Sequence, residues 1–481
     1  MVHFRSQRIR DPIHNLIEFG ADEFEHTMWQ VIQTPPFQRL RRIRQLGFSE
    51  FVFPGATHTR FAHSIGVFHV ARQLMRVIER HIRAAGNLRY RDSSAHIALA
   101  AALVHDVGHG MFSHAFEEIG GKLHLPLAHH ETVSERLIRD SELSEAMRPL
   151  GSGFANDVAA VIKGGKPGDL YHSVVSSQFD ADRLDYMQRD RLMTGVESSR
   201  IDATWLSANL EVASVNTGAD EMAAGSVETL ALGPKAFQVA ESYVLSLFQL
   251  YPNVYFHKAT RAAEKVFAAL MLRLVPLVRQ GDVRRTGLPV NHPICRFAKE
   301  PNRLDRASAL DDSVFWGAVP QLMDAKDAVI ARLARCLWHR ELPKCFDIRL
   351  RLEHDLPLRA HATVAERTLR NAEIRERCRQ IVVRIEAWSA ERPGSTSPVL
   401  IDQAARQPYK KIQDSRSLLN QILIRQGPGD PVDMAEVSPV VASAETFEVC
   451  RAYIFDGDSE SNVMLENIIG TNIKGDPDVR L

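Results

Sequence analysis

Leu103-Val104-His105-Asp106-Val107-Gly108-His109-Gly110-Met111-Phe112-Ser113-His114 closes an apolar run and then places three histidines and an aspartate within twelve residues. The run, Ile97 to Val104, is the longest uninterrupted apolar stretch of the chain, and with Ala95 to His105 it carries a helical period. His105 and Asp106 then fall where Gly108 breaks the helix, so that adjacent side chains can turn toward one ion. A buried histidine bonded to its neighbouring aspartate is the other reading of that pair taken alone.

Working outward, His63 sits in HTRFAHS, where a second helical pattern begins, with apolar residues at 65, 67, 68, 70, 71, 74, 75, 77 and 78. Asp182 lies in SSQFDADRLDYMQRD, with Asp180, Asp185 and Asp190 close by. His63, His105, Asp106 and Asp182 together offer two imidazoles and two carboxylates. That set suits a borderline divalent metal with positions left for water and a phosphate oxygen, as in a catalytic rather than a structural centre. Fifteen of the twenty histidines fall before residue 173, which locates the chemistry in the first part of the chain.

The rest of the sequence bounds the answer. With 481 residues, 45% hydrophobic and 25% charged, the chain has the composition of a folded globular protein of two or three domains. Fifty-nine basic residues balance fifty-nine acidic ones, so no global field draws it to nucleic acid or to an anionic membrane. No apolar run approaches the roughly 20 residues of a membrane span, and the N-terminus lacks an apolar signal core. A cytoplasmic protein is expected, and nucleic acid is not expected as a partner. Five cysteines without C-x-x-C spacing read as reduced structural thiols. Residues 8–19 read as a hairpin, Phe37 to Leu46 as a helix, and Leu210 to Leu232 as a second hairpin around Asn-Thr-Gly-Ala-Asp. Ala236 to Val275 reads as helix broken at Pro252 and stopped by Pro276, 284–307 as a surface connection, 364–391 as a charge-laced helix and 392–398 as a linker.

On these residues the chain resembles the HD-domain phosphohydrolases, whose signature is H…HD…D. More narrowly, QLG at 45–47, VFPGATHTRFAHSIGV at 52–67, HDVGHGMFSH at 105–114, HHE at 129–131 and DADRLDYMQRD at 180–190 look like the deoxynucleoside triphosphate triphosphohydrolases. That family includes bacterial enzymes and a human protein in which a SAM domain precedes the HD domain. No SAM domain is expected here, because the HD region starts almost at Met1. The resemblance covers about residues 8–270 and implies a mainly α fold, an HD-domain helical core with small β-hairpins and a C-terminal α+β appendage. The expected division is a core at 1–340 and an appendage of packing or regulatory role at 341–481.

The resemblance further implies hydrolysis of deoxynucleoside triphosphates to deoxynucleoside and triphosphate with a divalent metal (Mn, Fe, Mg, Zn or Ni), in a homo-oligomer, dimer or tetramer. His114 with Glu117, and His130, match the acids that would protonate the leaving 5′-oxygen, and the residues leave the choice open. His124 and His129 read as exposed loop histidines. Phosphate contacts carry over to Arg60, His109, Arg183 and Lys258, and sugar contacts to Gln45, Leu46, Tyr186, Asp190 and Tyr255. From the residues alone the leucine and tyrosines read as core, and Arg39, Arg41, Arg42 and Arg44 as a solvated helix face. In the family this stretch adjoins a regulatory nucleotide site, to which Gln33, Gln38 and Arg41 correspond. Two positions depart from the pattern: Leu247 stands where many relatives carry a phosphate-binding arginine, and Gln33 where activator-responsive relatives carry an acid that reads guanine. Alternatives are another phosphoester substrate (a nucleoside monophosphate, a cyclic nucleotide or single-stranded nucleic acid) and a nucleotide sensor without turnover. DGDSES at 456–461 fails as a calcium loop, since its sixth position is not glycine and its twelfth is Asn467.

Overall fold

A computed structural model describes residues 4–86, 90–164, 169–216, 226–392, 394–410, 421–427 and 429–474. They divide into two compact units that interleave along the chain: one of residues 1–255, 300–315 and 407–446, the other of 256–299, 316–406 and 447–481. The fold is mainly α with a few small sheets, as the sequence reading expects.

In the first unit, strands Gln7–Asp11 and Asn15–Phe19 pair antiparallel. Their turn is fastened by Asp11, whose carboxylate accepts the backbone N–H groups of Ile13 and His14 at 2.9 Å. Helix Arg60–Ala85 ends on Gly86 in the left-handed conformation (φ 69°), the usual glycine stop. It packs against helices Asp92–Val104 and Ala181–Thr194, and these three carry the candidate metal ligands. Asp92–Val104 is apolar almost all round; Ala98, Ala100, Ala101, Ala102, Leu103 and Val104 are wholly buried. A helix of that kind belongs inside a core, and its alanines let neighbouring helices approach closely. Ala181–Thr194 starts on Asp180, whose carboxylate accepts from Arg183 N at 2.9 Å, and stops on Gly195 at φ 75°. The second hairpin forms from Leu210–Asn216 and Ser226–Leu232, extended by Leu423–Ile424 and Val432–Asp433 into a four-stranded sheet; its expected turn at 217–220 lies outside the described residues.

The second unit holds helices Lys258–Arg279, Pro293–Lys299 and Ala328–Trp338, and a three-stranded antiparallel sheet with Phe447–Ile454 between Lys344–Asp347 and Leu400–Arg406. Ile374, Ile381 and Ile385 of helix Val364–Ala390 and Leu465 and Ile469 of helix Ser459–Lys474 share one buried cluster with Ala452 and Ile454 of that sheet.

Four local readings change. Phe37 to Leu46 is not one helix: Pro35–Arg39 and the 3-10 turn Leu40–Arg42 give way to extended backbone at Ile43, because Arg44 forms a β-bridge with Thr59 instead. Arg39 is not on a solvated face. It is 3% exposed and donates to Val107 O and Leu310 O at 2.8 Å. Pro276 lies inside its helix, which runs to Arg279; so near the end it removes a single backbone hydrogen bond, and the last turn closes with Gln280 N donating to Pro276 O. Finally, 284–307 contains short helices whose Ile294, Cys295 and Phe297 are buried. Among the described residues no helix is long and apolar enough to cross a membrane.

Candidate active site

His63 enters from the first turn of Arg60–Ala85, His105 from the residue that caps Asp92–Val104, and Asp182 from the first turn of Ala181–Thr194. The structure brings them together. Asp182 Oδ1 is 2.9 Å from His63 Nε2 and 3.7 Å from His105 Nε2, separations proper to neighbouring ligands of an ion with bonds of about 2.0–2.2 Å. His63, His105 and Asp182 form one group able to hold a metal.

The residues fit such an ion through their other atoms. His63 Nδ1 bonds Asp185 Oδ2 at 2.8 Å, and His105 Nδ1 donates to Ala102 O at 2.9 Å. Each ring therefore spends Nδ1 on an anchor and leaves Nε2 bare, and both Nε2 atoms are buried with no hydrogen-bond partner. Burial alone would lower the His63 pKa, but Asp182 and Asp185 outweigh it and raise it to about 10. A place that holds a proton so firmly holds a cation for the same electrostatic reason.

Asp106 lies beside them, Oδ1 3.3 Å from His105 Nε2 and Oδ2 3.7 Å from His63 Nε2. Its oxygens are shared with Arg60 Nη1 and with His109 Nε2, the latter at 3.2 Å. Burial opposes its ionisation, yet Arg60 and the histidines hold it well below the usual carboxylate range. His109 is kept neutral by burial and by Arg60. Arg60 also donates from Nε to Ser113 Oγ at 2.7 Å, which fixes the plane of its guanidinium.

The acid candidates share one carboxylate. Glu117 accepts from His114 Nδ1 at 2.9 Å with Oε2, and from the ring Nδ1 and backbone N–H of His130 with Oε1. Burial would raise Glu117, but the two histidines bring it far below its ordinary value. His130 is raised despite its burial, chiefly through Glu117. Its ring stacks on His109 at 4.0 Å, so the acid pair abuts the metal group. His124 and His129 are exposed, as expected.

Two conformational features build this end of the site. A Cβ on Gly108 would fall 2.2 Å from His130 O and 2.3 Å from Ser134 N, so only glycine lets the motif loop reach helix His130–Asp140. Phe112 and Ser113 have φ of 53° and 54°, strained backbone for side chains of their kind, at roughly 1–3 kcal/mol each.

The sugar candidates also converge. Tyr255 donates its hydroxyl to Asp190 Oδ2 at 2.9 Å, and its ring meets Tyr186 edge-on at 6.4 Å. Asp190 Oδ1 bonds His58 Nε2 at 2.8 Å, and His58 O accepts Gln45 N at 3.1 Å. Leu46, Tyr186 and Tyr255 are half-buried rather than core. Arg183 stands 3.8 Å from Asp180. Lys258 is exposed and opens a helix of the second unit. Of the regulatory candidates, Arg41 Nε donates to Gln38 Oε1 at 2.8 Å and its guanidinium stacks 3.5 Å from the Phe61 centroid, while Gln33 is exposed. Leu247 is 1% exposed.

Sequence reasoning missed the outer residues. Asp185 is gripped by His63, His14 (Nε2 to Oδ1, 2.7 Å) and Arg189, which also reaches Asp11 at 2.8 Å. Asp185 and Arg189 stood inside the quoted DADRLDYMQRD, and their i, i+4 spacing was the signal available.

Paired imidazoles and carboxylates at the meeting of three helices, anchored from behind, define an HD-type metal site. The HD domain family model matches residues 60–187, which spans His63, His105, Asp106 and Asp182. The protein named YwfO from Bacillus subtilis is 32% identical over 333 residues, covering 69% of this chain and 70% of that one. The chain belongs to the HD-domain phosphohydrolase family. It is also similar to the Gallus gallus protein named deoxynucleoside triphosphate triphosphohydrolase SAMHD1, 35% identical over 221 residues that cover 39% of this chain and 34% of that protein. A crystal structure of a phosphohydrolase from Bacteroides thetaiotaomicron shares the fold, with a TM-score of 0.66, 24% identity, and coverage of 94% of this chain and 99% of that one.

Proposed function

We propose that the protein hydrolyses deoxynucleoside triphosphates to deoxynucleoside and inorganic triphosphate. The observation that carries this reading is the bare Nε2 pair of His63 and His105 facing Asp182, set against histidines that share Glu117. Asp106 completes the proposed ligand set. The bound divalent ion, one of Mn, Fe, Mg, Zn or Ni, would supply Lewis-acid activation of water and neutralise phosphate charge. The similarity to a protein named as a dNTP triphosphohydrolase supports the substrate class.

The chain's own groups have distinct tasks. Arg60 and Arg183 offer planar forks to phosphate oxygens, and Lys258 and His109 are proposed as further phosphate contacts. A water molecule gives one proton to solvent as its oxygen bonds to the α-phosphorus, the bond from phosphorus to the 5′-oxygen breaks, and the leaving alkoxide takes from the histidine pair a proton that solvent then replaces. Glu117 holds that proton in place, and raises the pKa of His130 despite its burial. Gln45 and Asp190 receive the sugar, and Leu46, Tyr186 and Tyr255 crowd its 2′ position. Burying an unpaired 2′-hydroxyl there costs on the order of 1–3 kcal/mol, about tenfold to a hundredfold in rate. A homo-oligomer, a regulatory nucleotide near Gln38 and Arg41, and a packing or regulatory role for 341–481 belong to the same proposal.

Leu247 favours a second reading. A buried leucine cannot hold distal phosphates, so another phosphoester remains the rival substrate. One experiment separates them: the metal-loaded protein is incubated with dNTPs, NTPs, dNMPs, cyclic nucleotides and short DNA, and products are identified by chromatography. Deoxynucleoside plus triphosphate is expected, with ATP slower than dATP. Release of pyrophosphate or single phosphate overturns the mechanism, and equal ATP and dATP rates overturn the sugar assignment.

A further inference from the structure

Asp312 lies 200 residues beyond the motif it touches. It is 4% exposed, at the start of helix Asp312–Met323 and within the first unit. Its two carboxylate oxygens accept two backbone N–H groups from opposite stretches of the site. Oδ1 takes Phe112 N at 2.7 Å, and Oδ2 takes Arg44 N at 2.8 Å. Phe112 and Ser113 are the two left-handed residues that launch helix His114–Leu123, whose first residue is the acid candidate. Arg44 directly precedes Gln45 and Leu46. Neighbouring groups strengthen the clasp: Arg39 ties Leu310 O to Val107 O, and the Phe112 ring is held between Phe48 at 4.1 Å and Phe315 at 5.3 Å.

We propose that Asp312 is a positioning residue that clasps the loop before His114 to the Arg44–Leu46 stretch, holding the acid in register with the bound substrate. The inference rests on the reading of His114 and Glu117 as proton donors. Burial raises the Asp312 carboxyl to about 7, while the two N–H groups pull the other way and favour its ionised form; that form is an acceptor at both oxygens, which is what two converging N–H groups require. An asparagine in its place would turn an NH2 toward one of them, and alanine would leave both without an acceptor. The bulky Phe112 has no intrinsic reason to hold a positive φ, so with the acceptor gone the loop relaxes and His114 leaves Glu117.

The test compares two leaving groups in the metal-loaded protein. Asp312→Ala is assayed on dATP, whose 5′-alkoxide needs a proton, and on the 4-nitrophenyl ester of thymidine 5′-phosphate, whose phenolate departs without one. At least a tenfold loss of kcat on dATP is expected, since positioned acids contribute about a hundredfold or more, with nitrophenolate release and metal stoichiometry unchanged. Should the alanine variant fail to fold, Asp312→Asn, which keeps the volume and one acceptor, carries the same comparison. Equal loss on both substrates, or loss of the metal, overturns the proposal. Absence of triphosphate release by the wild-type protein instead defeats the proposed function. A crystal structure of the folded variant then decides the clasp by itself: relaxed φ angles at Phe112 and Ser113 with His114 parted from Glu117 support it, and retention of both features overturns it whatever the substrate.

Discussion

Asp185 touches no substrate in the proposed reaction, yet it sets the tautomer of His63 by bonding Nδ1. In Asp185→Asn the amide nitrogen can face that ring atom, and Arg189 keeps Asp11 but loses Asp185 as an ionic partner. Metal affinity is expected to fall about tenfold to a hundredfold, measured by competition with a chelator; unchanged affinity would show that the ring is fixed by packing alone. The acid pair makes a prediction about pH. His130 is raised above its ordinary 6.5, so its proton, and the stability its ion pair contributes, is fully present below pH 6.5 and lost as pH climbs through the raised value. Glu117 is depressed, so its contribution is present above its ordinary 4.5 and lost only as pH falls toward its lowered value. The alkaline limb of kcat/KM should therefore lie above pH 6.5, and Glu117→Gln should move it down. A limb that stays in place in that variant removes His130 as the titrating acid. The four candidate ligands stand out in the sequence because HTRFAHS, LVHDVGH and DADRLDY are local strings with little else to do. His14, Asp11 and Asp312 do not: each works through a contact with residues far away in the chain, and an aspartate at the start of a helix looks like any other first-turn acid.

Among the elements, helices Arg60–Ala85 and Asp92–Val104 were readable from their apolar period, whereas Phe37 to Leu46 was misread. Its period is helical, but Asp312 and Thr59 capture the backbone of Arg44 and override local propensity. Close approach between helices is equally invisible in one dimension. A Cβ on Gly66 would lie 1.9 Å from Asp185 Oδ1 and 2.4 Å from Arg189 Nη2. Gly66→Ala should therefore destabilise by about 3 kcal/mol and weaken metal binding along with it. Gly121→Ala, which meets nothing within 4 Å, should instead stabilise its helix by about 0.5–1 kcal/mol. Thermal melts of the two variants check the pair, and equal shifts would show that helix propensity outweighs the clash.

At the scale of the whole molecule, the stretch proposed to meet a regulatory nucleotide has charges that are mostly committed. Arg39 is buried, Arg42 bonds Asp311 at 2.6 Å, and Arg41 is stacked on Phe61. Gln33 presents one acceptor where guanine's N1–H and N2–H would favour a carboxylate. Turnover without GTP or dGTP is expected, or a response to another dNTP, read from each dNTP alone and in pairs beside Gln33→Asp. Zero activity on every substrate until a guanine nucleotide is added would refute it. The interleaving of the two units bears on how the molecule is made. The first unit owns residues 407–446, where Tyr409 and Leu423 are buried and Gln178 bonds the Gln421 side chain at 3.0 Å. During synthesis, the unit that carries the candidate metal ligands cannot close until residues 407–446 have left the ribosome. Its nascent helices must wait with apolar faces uncovered, and a premature stop anywhere before residue 446 yields a product that lacks part of that unit, however complete its ligand set.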